Sequence, residues 1–163
     1  MTIFFLKTAF LCYLVFLVIA LMKQHYTIIR KITYLKYVMY ILEVAYVLNA
    51  YNIEVNFISR NKYPSKNNYF TWNELNSHMV AGHYLIINTT PIGMYPNVDK
   101  EIKISYENLT SKHLVIDLIY NPTHTLFLKK ALFKNAQILN GYQMLVHQAL
   151  KAWDIWESSN IIN

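Results

Sequence analysis

From residue 44 onward, short apolar runs alternate with stretches of helical spacing, and this alternation constrains the fold more than any other feature of the chain. VAYVLNAY (44–51) reads as the end of a helix, and IEVNFI (53–58) alternates as a strand. SRNKYPSKNN (59–68) is polar, holds Pro64 and reads as a loop. TWNELNSHMV (71–80) opens with Thr71 and Glu74 at capping-box spacing, which predicts a short helix. YLIIN (84–88) is the next strand, and it runs into the loop TTPIGMYPN (89–97). HLVIDLIY (113–120) is a third strand, closed by Asn121-Pro122. A helix over 123–135, a short strand over 136–140 (AQILN) and a long amphipathic helix over 142–157 complete the pattern. Strands separated by helices predict an α/β fold with a parallel sheet, whose ligands sit outside the carboxyl ends of the strands. No internal repeat at solenoid spacing is found.

Residues 1–43 differ in kind and divide the chain into 1–43 and 44–163. TAFLCYLVFLVIALM (8–22) carries no charge, and Lys7 interrupts a longer apolar run from Ile3. A spanning helix needs about 20 apolar residues, so 3–22 qualifies if Lys7 snorkels. Lys23, Arg30, Lys31 and Lys36 follow, which would hold everything after residue 23 on the cytoplasmic side. No small-residue cleavage site marks a removable signal peptide. Two readings stay open: an apolar helix that anchors the chain in a membrane, or a buried or non-native apolar segment.

The formal charge of +6 suits an anionic small molecule, a membrane surface or nucleic acid without selecting among them. Nucleic-acid binding rests on that charge alone and is set aside. The one cysteine, Cys12, cannot form an internal disulfide, which fits a reducing, cytoplasmic compartment. The six histidines lie far apart and no CxxC or HExxH occurs, so no metal site is expected.

The polar residues that could bind something follow strands. Arg60, with Lys62 beside it, follows the strand at 53–58. An arginine at that place in a dinucleotide fold accommodates a 2′-phosphate, predicting NADP over NAD; a solvated basic turn is the alternative. Thr89, Thr90, Pro91 and Gly93 form a loop whose hydroxyls and amides could approach a cofactor, or which is a bare turn. Tyr120 follows the third strand. Gly141 opens the last helix, where a missing side chain permits close approach. Gln148, on the side of Met144 and Leu145, either reads a ligand hydroxyl or bonds backbone. Trp153 and Trp156 read as packing residues.

INTTPIGM (87–94), IDLIYNPTHTLFLKKA (116–131) and NGYQMLVHQALKAWDIW (140–156) together resemble the C-terminal half of shikimate dehydrogenase, in matching order. With IEVNFISRN (53–61), the likeness covers residues 44–157. That family reduces 3-dehydroshikimate to shikimate with NADPH, on the route to aromatic amino acids. The resemblance implies an incomplete Rossmann-type sheet with flanking helices as the cofactor domain. It implies that Ser59, Arg60, Asn61 and Lys62 match the family's Asn-Arg-Thr motif, with Arg60 on the 2′-phosphate. Ser59 and Asn61 depart from the usual types. It puts Thr90 near the nicotinamide, Leu118 on the cofactor through its main chain and Gly141 against NADP. Tyr120 and Gln148 would contact shikimate.

The departures are as specific. The family's first strand ends in a glycine-rich turn, and the corresponding YVMYILEVAYVL (37–48) has no glycine. Nothing in residues 1–43 resembles the motifs that carry the family's substrate-binding serines or its catalytic Lys and Asp. The expectation is a chain truncated or degraded at its front that does not turn over shikimate alone. A frame disruption would account for it: codons for Asn-Thr-Gly-Gly, read one base later, give Ile41-Leu42-Glu43-Val44. The rival expectation is a non-catalytic, membrane-tethered α/β module.

Overall fold

The computed structural model describes residues 41–61 and 67–160. The apolar segment 3–22 and Lys62 therefore lie outside the described residues. Ile41–Gly141 forms one compact unit, and the helix that starts at Tyr142 belongs to a second.

The first unit opens with α1, described over 41–50. Asn52 ends it in the left-handed region, at φ 58. Asparagine tolerates that conformation, and it lets Ile53 N return to Leu48 O at 3.0 Å. Two strands follow in parallel, β1 (Phe57–Ser59) and β2 (Tyr69–Thr71), in the register Phe57↔Tyr69 to Ser59↔Thr71. The rings of Phe57 and Tyr69 stack at 4.5 Å. The strand expected over 53–58 thus begins later. The carbonyl of Val55 accepts from the Asn68 side chain (3.0 Å), not from a strand neighbour, so no ladder forms before Phe57.

The expected helix over 71–80 is also displaced. Thr71 and Glu74 do pair: the Glu74 carboxylate accepts from Thr71 N (2.8 Å) and Thr71 Oγ1 (3.0 Å). That pairing closes the turn after β2. The helix, α2 (Ser77–Gly82), starts three residues beyond Glu74, capped by Asn76 Oδ1, which accepts from Met79 N at 3.0 Å.

Three parallel strands make the second sheet, in the order β3 (Leu85–Asn88), β4 (Leu114–Asp117), β5 (Gln137–Asn140). Leu85, Leu114 and Gln137 stand in register at one end; Asn88, Asp117 and Asn140 stand in register at the carboxyl end. Between β4 and β5 runs α3 (Leu126–Phe133). Thr125 caps its start, accepting from Leu128 N. Asn135, at φ 61, ends it: Asn135 N bonds Leu132 O (2.9 Å) and Ala136 N bonds Ala131 O (3.1 Å). These two bonds form a Schellman motif. Val115 of β4 packs with Phe127, Leu128 and Ala131 of α3 and with Val80, Ile102, Leu109 and Ala136 as the core. Buried His113 accepts at Nδ1 from Thr110 N (3.0 Å), and its Nε2 faces Val80 O at 3.1 Å.

In the other unit, α4 spans Tyr142–Asn160. Trp153 and Trp156 are exposed and lean on each other at 6.5 Å, instead of entering a core as their size suggests. No helix among the described residues is long and apolar enough to cross a membrane.

Candidate functional site

The carboxyl edge of the β3–β4–β5 sheet carries a buried polar array. Asp117, the last residue of β4, has no exposed surface. Its Oδ1 accepts from Asn88 Nδ2 (3.0 Å) and Ile119 N (3.1 Å), and its Oδ2 accepts from Thr125 Oγ1 (2.6 Å). Burial pushes the Asp117 carboxyl above the usual carboxylate range, while the bonds from Thr125, Ile119 and Asn88 pull the other way. Asn88, the last residue of β3, turns its Oδ1 to the next loop, accepting from Thr90 N and Thr90 Oγ1, both at 2.8 Å. The Thr90 oxygen in turn receives Ile92 N at 3.3 Å. One carboxylate therefore ties together the ends of two strands, the loop after β3 and the cap of α3.

The loop is held from its far side as well. Gly93 is buried at φ +91, and a Cβ there would meet Lys100 O at 3.2 Å and the Thr125 Cβ at 3.3 Å. Tyr95 N donates to Asn121 O (3.3 Å), joining the loops after β3 and β4. Replacing Gly93 by alanine is expected to lower stability by about 1–3 kcal/mol, from the strained φ and the contacts together. A urea midpoint equal to wild type would contradict that.

The residues expected from the sequence divide into three groups. Thr90, Leu118, Tyr120 and Gly141 lie at this edge. Leu118 N donates to Asn88 O (3.1 Å), and Tyr120 is exposed. Gly141 is buried, and its close approach is to the Leu118 backbone: an added Cβ would sit 2.0 Å from Leu118 O. Ser59, Arg60 and Asn61 follow β1 in the other sheet. The Ser59 hydroxyl donates to Asn61 O, and Arg60 is exposed. Gln148 is half-buried on α4, in the other unit. Three residues of the array, Asn88, Asp117 and Thr125, stand outside the set expected from the sequence. A signal existed: Asp117 is the one acid inside the apolar run HLVIDLIY. Among the described residues no cluster of His, Cys, Asp or Glu could hold a metal ion.

Parallel strands with loops converging at their carboxyl edge define the class, a Rossmann-like α/β domain. No family model matches the chain. Over 80 residues (49% of this chain) it is 48% identical to the shikimate dehydrogenase (NADP(+)) of Methanococcus aeolicus, of which it covers 29%. Over 72 residues it is 50% identical to the shikimate dehydrogenase (NADP(+)) of Methanocaldococcus jannaschii, covering 26% of that protein. Among solved structures, the shikimate dehydrogenase of Aquifex aeolicus matches 65% of this chain and 40% of its own, at a TM-score of 0.53 and 28% identity. The chain is thus similar to shikimate dehydrogenases over about half of its own length, and it spans 29% and 26% of the length of these two curated relatives.

Proposed function

We propose that this chain carries the cofactor-binding half of a shikimate dehydrogenase, the part that holds NADP for the NADPH-dependent reduction of 3-dehydroshikimate to shikimate. The observation that carries the reading is the 48% identity to a shikimate dehydrogenase (NADP(+)). The geometry supports it, because Arg60, Thr90 and Leu118 each follow a strand of a parallel pair. The residues fit the two ends of the dinucleotide. An exposed guanidinium after β1 suits a 2′-phosphate, with Ser59 and Asn61 beside it. Hydroxyl and carbonyl groups after β3 and β4 suit the nicotinamide end. The middle is different: the three glycines are Gly82, Gly93 and Gly141, so none precedes α1 to cradle a pyrophosphate. When bound, NADPH supplies the hydride; the residues of this chain bind and orient it. Tyr120 and Gln148 are the proposed shikimate contacts, Gly141 borders the cofactor, and no catalytic residue is assigned.

Fluorescence titration of the purified chain with NADPH and NADH tests this. NADPH is expected to bind more tightly, and Arg60→Ala to weaken NADPH about 10- to 100-fold, with NADH unchanged, through loss of a charge-assisted phosphate contact. Equal weakening of both cofactors would remove Arg60 from the phosphate site, and no NADPH binding by the wild-type chain would sink the reading.

A further inference from the structure

The array at the carboxyl edge has a direction. Backbone N–H groups can only donate, so two of its bonds fix the rest. Thr90 N donates to the Asn88 side chain at 2.8 Å, so the atom it meets is the amide oxygen, and the Asn88 NH2 must face Asp117. Ile119 N donates to the same Asp117 oxygen at 3.1 Å, so that oxygen carries no proton and accepts twice. Thr90 Oγ1 has a single proton. Its neighbour at 2.8 Å is Asn88 Oδ1, an acceptor already oriented by Asp117, and that is where the proton goes. What the Thr90 oxygen has left is lone-pair density, part of it taken by Ile92 N at 3.3 Å. A freely turning threonine hydroxyl would serve a donor or an acceptor equally; this one serves a donor. Asp117 and Asn88 are buried, so no ligand touches them and they act as positioning residues.

We propose that Asp117, acting through Asn88, locks the Thr90 hydroxyl as an acceptor, so that the loop after β3 selects a ligand group bearing hydrogen-bond donors: the primary carboxamide of a nicotinamide ring. This rests on the NADP reading above and names the atom chemistry of its nicotinamide end. The Thr90 oxygen receives one carboxamide N–H. A ring bearing an acetyl group has only a carbonyl to offer and meets a lone pair.

The test is a binding panel on the purified chain using NADPH, its reduced 3-acetylpyridine analogue, and 2′,5′-ADP, which reports on the adenosine end alone. Wild type is expected to favour NADPH over the acetyl analogue about five- to tenfold, the size of one net hydrogen bond. Thr90→Ser keeps the hydroxyl and the preference. Asp117→Asn can still present an oxygen to Asn88 and Ile119, and it also keeps the preference. Thr90→Val and Asn88→Ala bring the ratio near one, with 2′,5′-ADP affinity unchanged. Equal affinity of wild type for the two reduced cofactors overturns the proposal alone. So does a preference that survives Thr90→Val, or loss of 2′,5′-ADP affinity in parallel, since that marks a merely structural role. Failure of wild type to bind NADPH or 2′,5′-ADP overturns this proposal together with the reading beneath it.

Discussion

Gly141→Ala is expected to destabilise the α/β unit by about 3 kcal/mol or more, beyond the usual cost of an extra methyl group in a packed site. The reason is space, since Gly141 has no positive φ to strain. An added Cβ would lie 2.0 Å from Leu118 O, 2.6 Å from Leu118 C and 3.2 Å from Leu118 Cα. All three are backbone atoms, and backbone cannot rotate aside as a side chain can. Relief requires the ends of β4 and β5 to part. That stretches Gly141 N→Ile119 O (3.1 Å) and the pairing of Asp117 with Asn140. Gly82 supplies the control within the same unit. It closes α2, and nothing lies within 4 Å of a Cβ built there. Gly82→Ala is expected to be neutral or to stabilise by up to about 1 kcal/mol, by narrowing the unfolded ensemble. Urea unfolding of the two variants reads the contrast as opposite movements of the midpoint at constant m-value. A Gly141→Ala midpoint equal to that of Gly82→Ala would remove the close approach as a constraint.

The sequence made some of this legible and hid the rest for identifiable reasons. β3, β4, α3 and β5 fall inside the expected runs because each presents apolar residues to the sheet or its core, and that is what a hydrophobic pattern records. β2 was not anticipated. Tyr69–Thr71 is only half-buried, and it becomes a strand by pairing with β1, a partner no local pattern reveals. The Thr71–Glu74 spacing predicts the start of a helix, and the pair closes a turn: the spacing specifies the hydrogen bonds and leaves the following backbone open. The sequence predicts a close approach at Gly141, and the approaching group is Leu118, a contact between strands distant in sequence. Thr90 was singled out as a loop hydroxyl. What gives that hydroxyl a direction is Asp117, far along the chain and hidden in a run that reads as plain strand. Side-chain chemistry at the strand ends was visible; its wiring needed the register of β3 against β4.

That wiring sets the other large effect. Asp117→Ala is expected to cost about 3–5 kcal/mol, a large share of the stability of a domain of ordinary size. Alanine deletes the acceptor of three donors at once, Asn88 Nδ2, Ile119 N and Thr125 Oγ1, all on buried residues. Asp117→Asn is expected to cost less, about 1–2 kcal/mol. Its oxygen can still accept from Asn88 and Ile119, and only the Thr125 bond has to rearrange. The two variants also differ from wild type in pH dependence. Burial raises the folded-state pKa of Asp117 above its ordinary 3.8. Between those two values the folded chain holds more of this proton than the unfolded chain does. The Asp117 contribution therefore declines as pH rises from about 4 through the raised value, then levels off. Subtracting the Asp117→Asn stability curve from the wild-type curve isolates that slope from the other carboxylates. A difference that instead grows with rising pH would mean the three hydrogen bonds outweigh burial, and that Asp117 is an asset when ionised.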